Sequence, residues 1–286
     1  MKGSGLAAAV LSLTIALSAP AFAQEEEQHI NPDQPDVTNG TYIVSNGLTQ
    51  VEFGTVYVRD KTGQRTGSTP FTVRIGMTNW LEARIGADGV LTQATDGGTR
   101  ATGFGNVQLG AKLRLWAKPG GIPVISVLPT ITLPTANSSD GLGSGKVDLT
   151  VAILTGSNIG SRGHIDFNYG IGSIGGEQGR PRFSQHLVST SISAAATARL
   201  NPYVEVFWFS RTEEEGSSEA SFDGGAIYEL GPRLGIDAGV QAGIHGPAAT
   251  FAIFGGLSIV VGPRPDTIRA RQRRRAPRRP TTNAGT

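Results

Sequence analysis

Gly105-Asn106-Val107-Gln108-Leu109-Gly110-Ala111-Lys112-Leu113-Arg114-Leu115 sets Val107, Leu109, Ala111, Leu113 and Leu115 against Asn106, Gln108, Gly110, Lys112 and Arg114. Successive side chains of an extended chain point to opposite faces, so this stretch is a strand with one apolar and one wet face. The same period recurs at 234–244, where Leu234, Ile236, Ala238, Val240, Ala242 and Ile244 alternate with Gly235, Asp237, Gly239, Gln241 and Gly243. Phe71, Val73, Ile75 and Met77 oppose Thr72, Arg74 and Gly76, while Leu81, Ala83, Ile85 and Ala87 oppose Glu82, Arg84, Gly86 and Asp88. His164, Asp166, Asn168 and Gly170 oppose Ile165, Phe167, Tyr169 and Ile171 in the same way. With further runs at 50–59, 122–133, 147–155, 183–197, 203–210, 220–230 and 249–261, the expectation is twelve strands.

The segments between them alternate in length. Those after even-numbered strands are short (78–80, 117–121, 158–162, 200–202, 231–233), and those after odd-numbered strands are longer and polar (60–68, 92–102, 134–146, 175–182, 211–219); only the last, 245–248, breaks the rule. Short turns on one rim, long loops on the other and an even number of strands near 9–11 residues are the layout of an outer-membrane β-barrel. The fold class expected is therefore all-β, an up-and-down antiparallel transmembrane barrel. Its apolar faces carry almost no charge, so lipid is expected outside and a wet lumen inside. Arg74, Glu82, Arg84, Asp88, Lys112, Arg114, Asp166 and Asp237 are the expected lumen-lining residues, with Asp148 and Glu205 also on polar faces. Trp80, Trp116, Tyr203, Trp208 and Tyr228 lie near strand ends, where an interfacial aromatic girdle belongs.

Composition narrows the function classes. The 286 residues are 38% hydrophobic and 17% charged, with 40 Gly and no Cys, which removes disulfide scaffolds, thiol catalysis and cysteine-ligated metal. Lys2, the apolar run 6–19 and Ala21-Phe22-Ala23 read as a signal peptide cleaved after residue 23. A periplasmic N-terminal segment at 24–49, a barrel at 50–261 and a disordered basic tail at 262–286 complete the expected organisation. The formal charge of +2 hides an asymmetry: eight arginines between 264 and 279 face one acid, Asp266, while the rest of the mature chain is mildly acidic. The tail has no aromatic to stack a base, and export argues against nucleic acid; a solvated tail, or one attracted to anionic envelope polymers, is expected instead.

Val44-Ser45-Asn46-Gly47-Leu48-Thr49-Gln50-Val51-Glu52-Phe53-Gly54, residues 103–112, Leu128-Pro129-Thr130-Ile131-Thr132-Leu133-Pro134-Thr135 and residues 234–240 together resemble the bacterial outer-membrane "transporter" barrels grouped as MetA-pathway of phenol degradation proteins. The resemblance spans 44–261. It implies a porin-like channel in the outer membrane of a Gram-negative bacterium, inserted by the barrel-assembly machinery, contacting outer-membrane lipid and passing small hydrophobic or aromatic solutes. The chain departs from the usual barrel ending, because Gly256-Leu257-Ser258-Ile259-Val260-Val261 keeps the spacing with aliphatic residues where a terminal aromatic is customary.

No cofactor or metal is expected. His29, His164, His186 and His245 show no metal-ligand spacing. Ser184 and His186 lie on one strand face without a nucleophile elbow, so an outer-membrane hydrolase is the weakest of the alternatives. Residues 140–146 fail as a phosphate loop, with Asp140 where the first Gly is required and Val147 where Ser or Thr should follow Lys146. A structural or plugged barrel without transport remains the main alternative to a channel.

Overall fold

The structure, a computed structural model, describes residues 30–263 apart from 35–36, 96–97, 99, 118–122 and 178. The expected signal peptide and the arginine-rich stretch beyond Pro263 lie outside the described residues.

Fifteen strands form one sheet: β1 Thr49–Arg59, β2 Arg65–Ser68, β3 Phe71–Gly76, β4 Leu81–Ala87, β5 Val90–Ala94, β6 Arg100–Phe104, β7 Val107–Trp116, β8 Val124–Leu133, β9 Asp148–Ile159, β10 Gly163–Ile174, β11 Phe183–Ala194, β12 Leu200–Phe209, β13 Glu219–Gly231, β14 Leu234–His245 and β15 Phe251–Val261. All pairings are antiparallel, and β15 returns to β1 from Thr49↔Val261 to Arg59↔Phe251, so the sheet closes; among the described residues β6 pairs on one side only, with β5.

Three walls of the barrel are strands broken in two. β2 and β3 both pair with β1, β5 continues β4, and β6 continues into β7, which makes twelve walls as expected. The breaks fall in line at Thr69-Pro70, Asp88-Gly89 and Gly105-Asn106. Pro70 has no amide to donate, and Gly89 has φ +66° with the Thr69 carbonyl oxygen only 1.9 Å from where a β-carbon would sit. Pairing nonetheless crosses the break, since the Thr69 amide donates to the Val90 carbonyl (3.1 Å) and the Gly105 amide to the Gly89 carbonyl (2.8 Å).

Two of the long loops expected from sequence are shorter than the reading had them. Arg65–Ser68 and Arg100–Phe104 are strand rather than loop. A ladder needs only paired backbone, so it runs on past the last apolar side chain. Long connections remain at 134–147, 175–182 and 210–218, all on one rim, while 77–80, 160–162, 195–199 and 232–233 are short and share the other.

The barrel is inside-out relative to a soluble one. Arg74, Glu82 and Lys112 are each 0% exposed, whereas apolar side chains on the opposite face of the sheet stand open, with Leu109 at 39%, Ile153 at 47% and Val240 at 61%. Trp80, Trp116 and Tyr228 are exposed near the short-turn rim, and Tyr57 packs on Phe251 near the loop rim, their centroids 6.0 Å apart. Tyr203, expected in the girdle, is instead buried on the inward face, because it shares the alternation of Glu205 and Phe207.

Candidate functional site

Residues 30–34 and 37–48, the described part of the stretch expected as a periplasmic segment, lie inside the barrel. A turn at Asn46-Gly47, with Gly47 at φ +81° and the Leu48 amide donating to the Ser45 carbonyl (3.0 Å), joins the inward segment to β1, and Ile30, Val44 and Leu48 form a small apolar cluster with Val260 at the short-turn end. From there the segment has no strand to pair with, so its backbone polar groups need side-chain partners. The wall supplies them. Glu52 accepts from the amides of Asp33 and Gln34 (3.1 Å each), Glu205 from those of Val37 (2.9 Å) and Thr38 (2.5 Å), and Glu82 from that of Val44 (2.8 Å). Asn168 accepts from the Asn39 amide at 2.7 Å and donates to its carbonyl at 2.9 Å. Carbonyls of Asn31, Gly40, Tyr42 and Thr41 accept from Gln50, Arg74, Lys112 and Ser126. At Gly156 the approach is so close that a β-carbon would meet Thr41 Oγ1 at 2.8 Å and Asp166 Oδ1 at 2.6 Å.

One side chain of the segment ties it into the charges of the wall. Asp33 Oδ2 accepts from Lys112 Nζ at 2.6 Å and Arg84 Nη1 at 2.8 Å, with Arg74 Nη1 3.5 Å away. Arg74 in turn bonds Glu82 Oε1 through Nε and Glu52 Oε1 through Nη1, both at 2.9 Å. Three cations (Arg74, Arg84, Lys112) thus meet three carboxylates (Asp33, Glu52, Glu82), and the belt is balanced only while Asp33 is in place. Burial alone would raise the pKa of Asp33; the charges of Arg74, Lys112 and Arg84 outweigh it and hold the carboxyl well below the usual carboxylate range.

Four of the eight residues expected to line the lumen, Arg74, Glu82, Arg84 and Lys112, therefore sit in this one cluster. The other four lie apart from it. Asp166 is 3.2 Å from His164 Nε2, and Asp237 borders a small cavity of 160 Å³ with Gln34 and Phe254. Asp88 sits at the β4/β5 break and accepts from the Asn106 amide at 2.9 Å, while Arg114 is near the short-turn end of β7. Asp33, Gln50, Glu52 and Asn168 are central here and were not singled out. Gln50, Glu52 and Asn168 carry a signal, since they occupy wet positions in their strands' alternation; Asp33 carries none.

Between the segment and the loop rim a cavity of 400 Å³ is open, floored by Asp33, Asn39 and Arg84. On the outer wall, His186 Nδ1 lies 2.9 Å from Tyr169 Oη, and no hydrogen bond joins it to Ser184 among the described residues.

A family model described as putative MetA-pathway of phenol degradation matches residues 32–260, from the inward segment to the last strand. The chain belongs to this family. Among solved structures, this MetA-pathway chain resembles an outer membrane channel from Pseudomonas putida F1, at 11% identity and TM-score 0.61, over 82% of this chain and 100% of that one. It also resembles the NanC porin at 9% identity and TM-score 0.52, over 74% and 98%. At such identities the likeness is one of fold: outer-membrane barrels. Comparison with curated proteins finds no match.

Proposed function

We propose that this MetA-pathway protein is a porin-like channel of the outer membrane of a Gram-negative bacterium, passing small uncharged, partly apolar solutes, with its own N-terminal segment seated in the lumen. The observation that carries this reading is the inversion of polarity. Arg or Lys facing lipid near mid-membrane would cost about 2–4 kcal/mol each, whereas a wet lumen accommodates them, and the buried charges all point inward. Orientation follows: the short-turn rim faces the periplasm and the long loops face outward, with barrel-assembly machinery and outer-membrane lipid as partners. A balanced belt provides no ring of one sign, so ions of either charge are steered weakly and neutral solutes pass best. Liposome swelling tests this. Proteoliposomes of the refolded chain should admit small neutral solutes faster than anionic or cationic ones of equal size, and equal rates for all three would contradict the preference.

The second reading is a closed barrel without transport, favoured by the number of wall side chains committed to the segment's backbone. It predicts that swelling stays at the level of empty liposomes for every solute.

A further inference from the structure

The 400 Å³ cavity has two tiers set by strand register. One tier runs Leu128↔Ala152↔Gly170↔Leu187↔Phe209 across five adjacent strands, and all of these side chains turn inward. The next, toward the loop rim, runs Thr130↔Thr150↔Gly172↔Gln185. Other inward apolar side chains are packed away, Ile30, Val44 and Leu48 against Val260, and Leu154 and Phe207 buried within the lumen filling, whereas the row of Leu128, Leu187 and Phe209 lines open space, where water against it is unfavourable. Glycine at 170 and 172 leaves the wall low, with a β-carbon at 172 only 3.0 Å from Thr150 Cγ2. The floor offers no unmatched charge, because Arg84 and Asp33 are bonded to each other at 2.8 Å. A charged ligand would have to open that buried pair.

We infer that this cavity is a binding site for a small uncharged solute that is amphipathic across its width, laying an apolar face on Leu128, Leu187 and Phe209 and hydroxyl or amide groups on Thr130, Thr150 and Gln185. The inference rests on the channel reading and adds the chemical class the lumen selects. A volume of 400 Å³ lies within the roughly 300–1,000 Å³ of small-molecule sites, which are mostly apolar with a few placed polar groups.

The test is calorimetric titration of the full chain in lipid nanodiscs, with protein-free nanodiscs subtracting partition into lipid. Probes are 4-nitrophenyl β-D-glucopyranoside, which has an apolar ring and a hydroxyl face, glucose, which has hydroxyls alone, and 4-nitrophenyl phosphate, which is anionic. The glucoside should bind, and glucose and the phosphate should bind at least about tenfold more weakly, the loss expected when one buried apolar group or one charge pair is forfeited. Leu187→Asn should weaken the glucoside by about tenfold and Leu187→Met should not, a large aliphatic side chain being what the row needs. Equal binding of glucose and the glucoside, or a glucoside affinity unchanged by Leu187→Asn, overturns the inference. Conductance of the same protein is read separately: a protein that conducts but does not discriminate the probes loses this inference alone, and one that discriminates them but never conducts loses the channel reading alone.

Discussion

Lys112 shows how the site is held. Its ammonium is fully buried, bonded to Asp33 at 2.6 Å and to the Gly40 carbonyl at 2.7 Å. Removing one partner of a buried pair leaves the other charged and desolvated, so Lys112→Ala should destabilise the protein by about 3–5 kcal/mol, seen as a lowered urea midpoint; a loss below about 1 kcal/mol, the size of an exposed pair, would contradict the burial. Asp33 adds a pH dependence. Its carboxyl is faced by Arg74, Arg84 and Lys112 and, within the same belt, by Glu52 and Glu82. The seated carboxyl titrates below the free one, so its contribution to seating is complete above the free value of about 3.9 and is lost as pH falls through the lower, seated value. Current through the pore should therefore rise as pH falls below the free value of about 3.9, and Asp33→Asn should abolish that rise. An unchanged acid response in Asp33→Asn assigns it elsewhere. Arg74, Glu82, Arg84 and Lys112 were legible because each occupies a wet position in a regular alternation. Asp33 was not, because it lies in an irregular stretch whose neighbours are set by packing at a distance of 79 residues from Lys112.

Strands were legible wherever one face is greasy. Period two marks β7 and β14 almost to the residue, and the apolar outward row is what makes it visible. Where the ladder rises above the apolar band, in β2 and β6, it is held by backbone pairing and one hydroxyl contact, Thr92 Oγ1 to Thr102 Oγ1 at 3.2 Å, and the sequence reads as loop. The kinks at Thr69-Pro70, Asp88-Gly89 and Gly105-Asn106 are written in Pro and Gly, yet turns and strand breaks use the same residues. Gly89→Val should be poorly tolerated, since a β-branched residue is strained at φ +66° and its β-carbon would strike the Thr69 carbonyl. The expected result is loss of the heat-modifiable folded band on refolding, and a normal band would contradict the tight crossing. The assignment of faces has its own check. Cysteine placed at Thr130, on the wet inward face, should react with a water-soluble maleimide, and cysteine at Val240 only with a lipid-soluble one; the reverse pattern would turn the barrel outside in.

At the scale of the whole molecule the architecture is a closed wall with its own N-terminal segment as filling. Sequence anticipated the wall, the twelve strands and the two unlike rims, because each repeats a local pattern many times over. The filling was not anticipated, for it makes no periodic signal: Val37, Thr38, Asn39 and Val44 are held through backbone groups, which every residue carries. Filling and wall also share a charge balance. Without Asp33 the belt keeps Arg74, Arg84 and Lys112 against Glu52 and Glu82 alone, so emptying the barrel should shift its preference toward anions relative to the filled one. The most direct measurement is single-channel conductance in planar bilayers of the intact chain and of a variant lacking residues 30–47. The account predicts small or infrequent steps for the intact chain, and frequent, larger steps with a reversal potential shifted toward anions for the variant. Identical conductance and selectivity in the two, or silence in both, would contradict it.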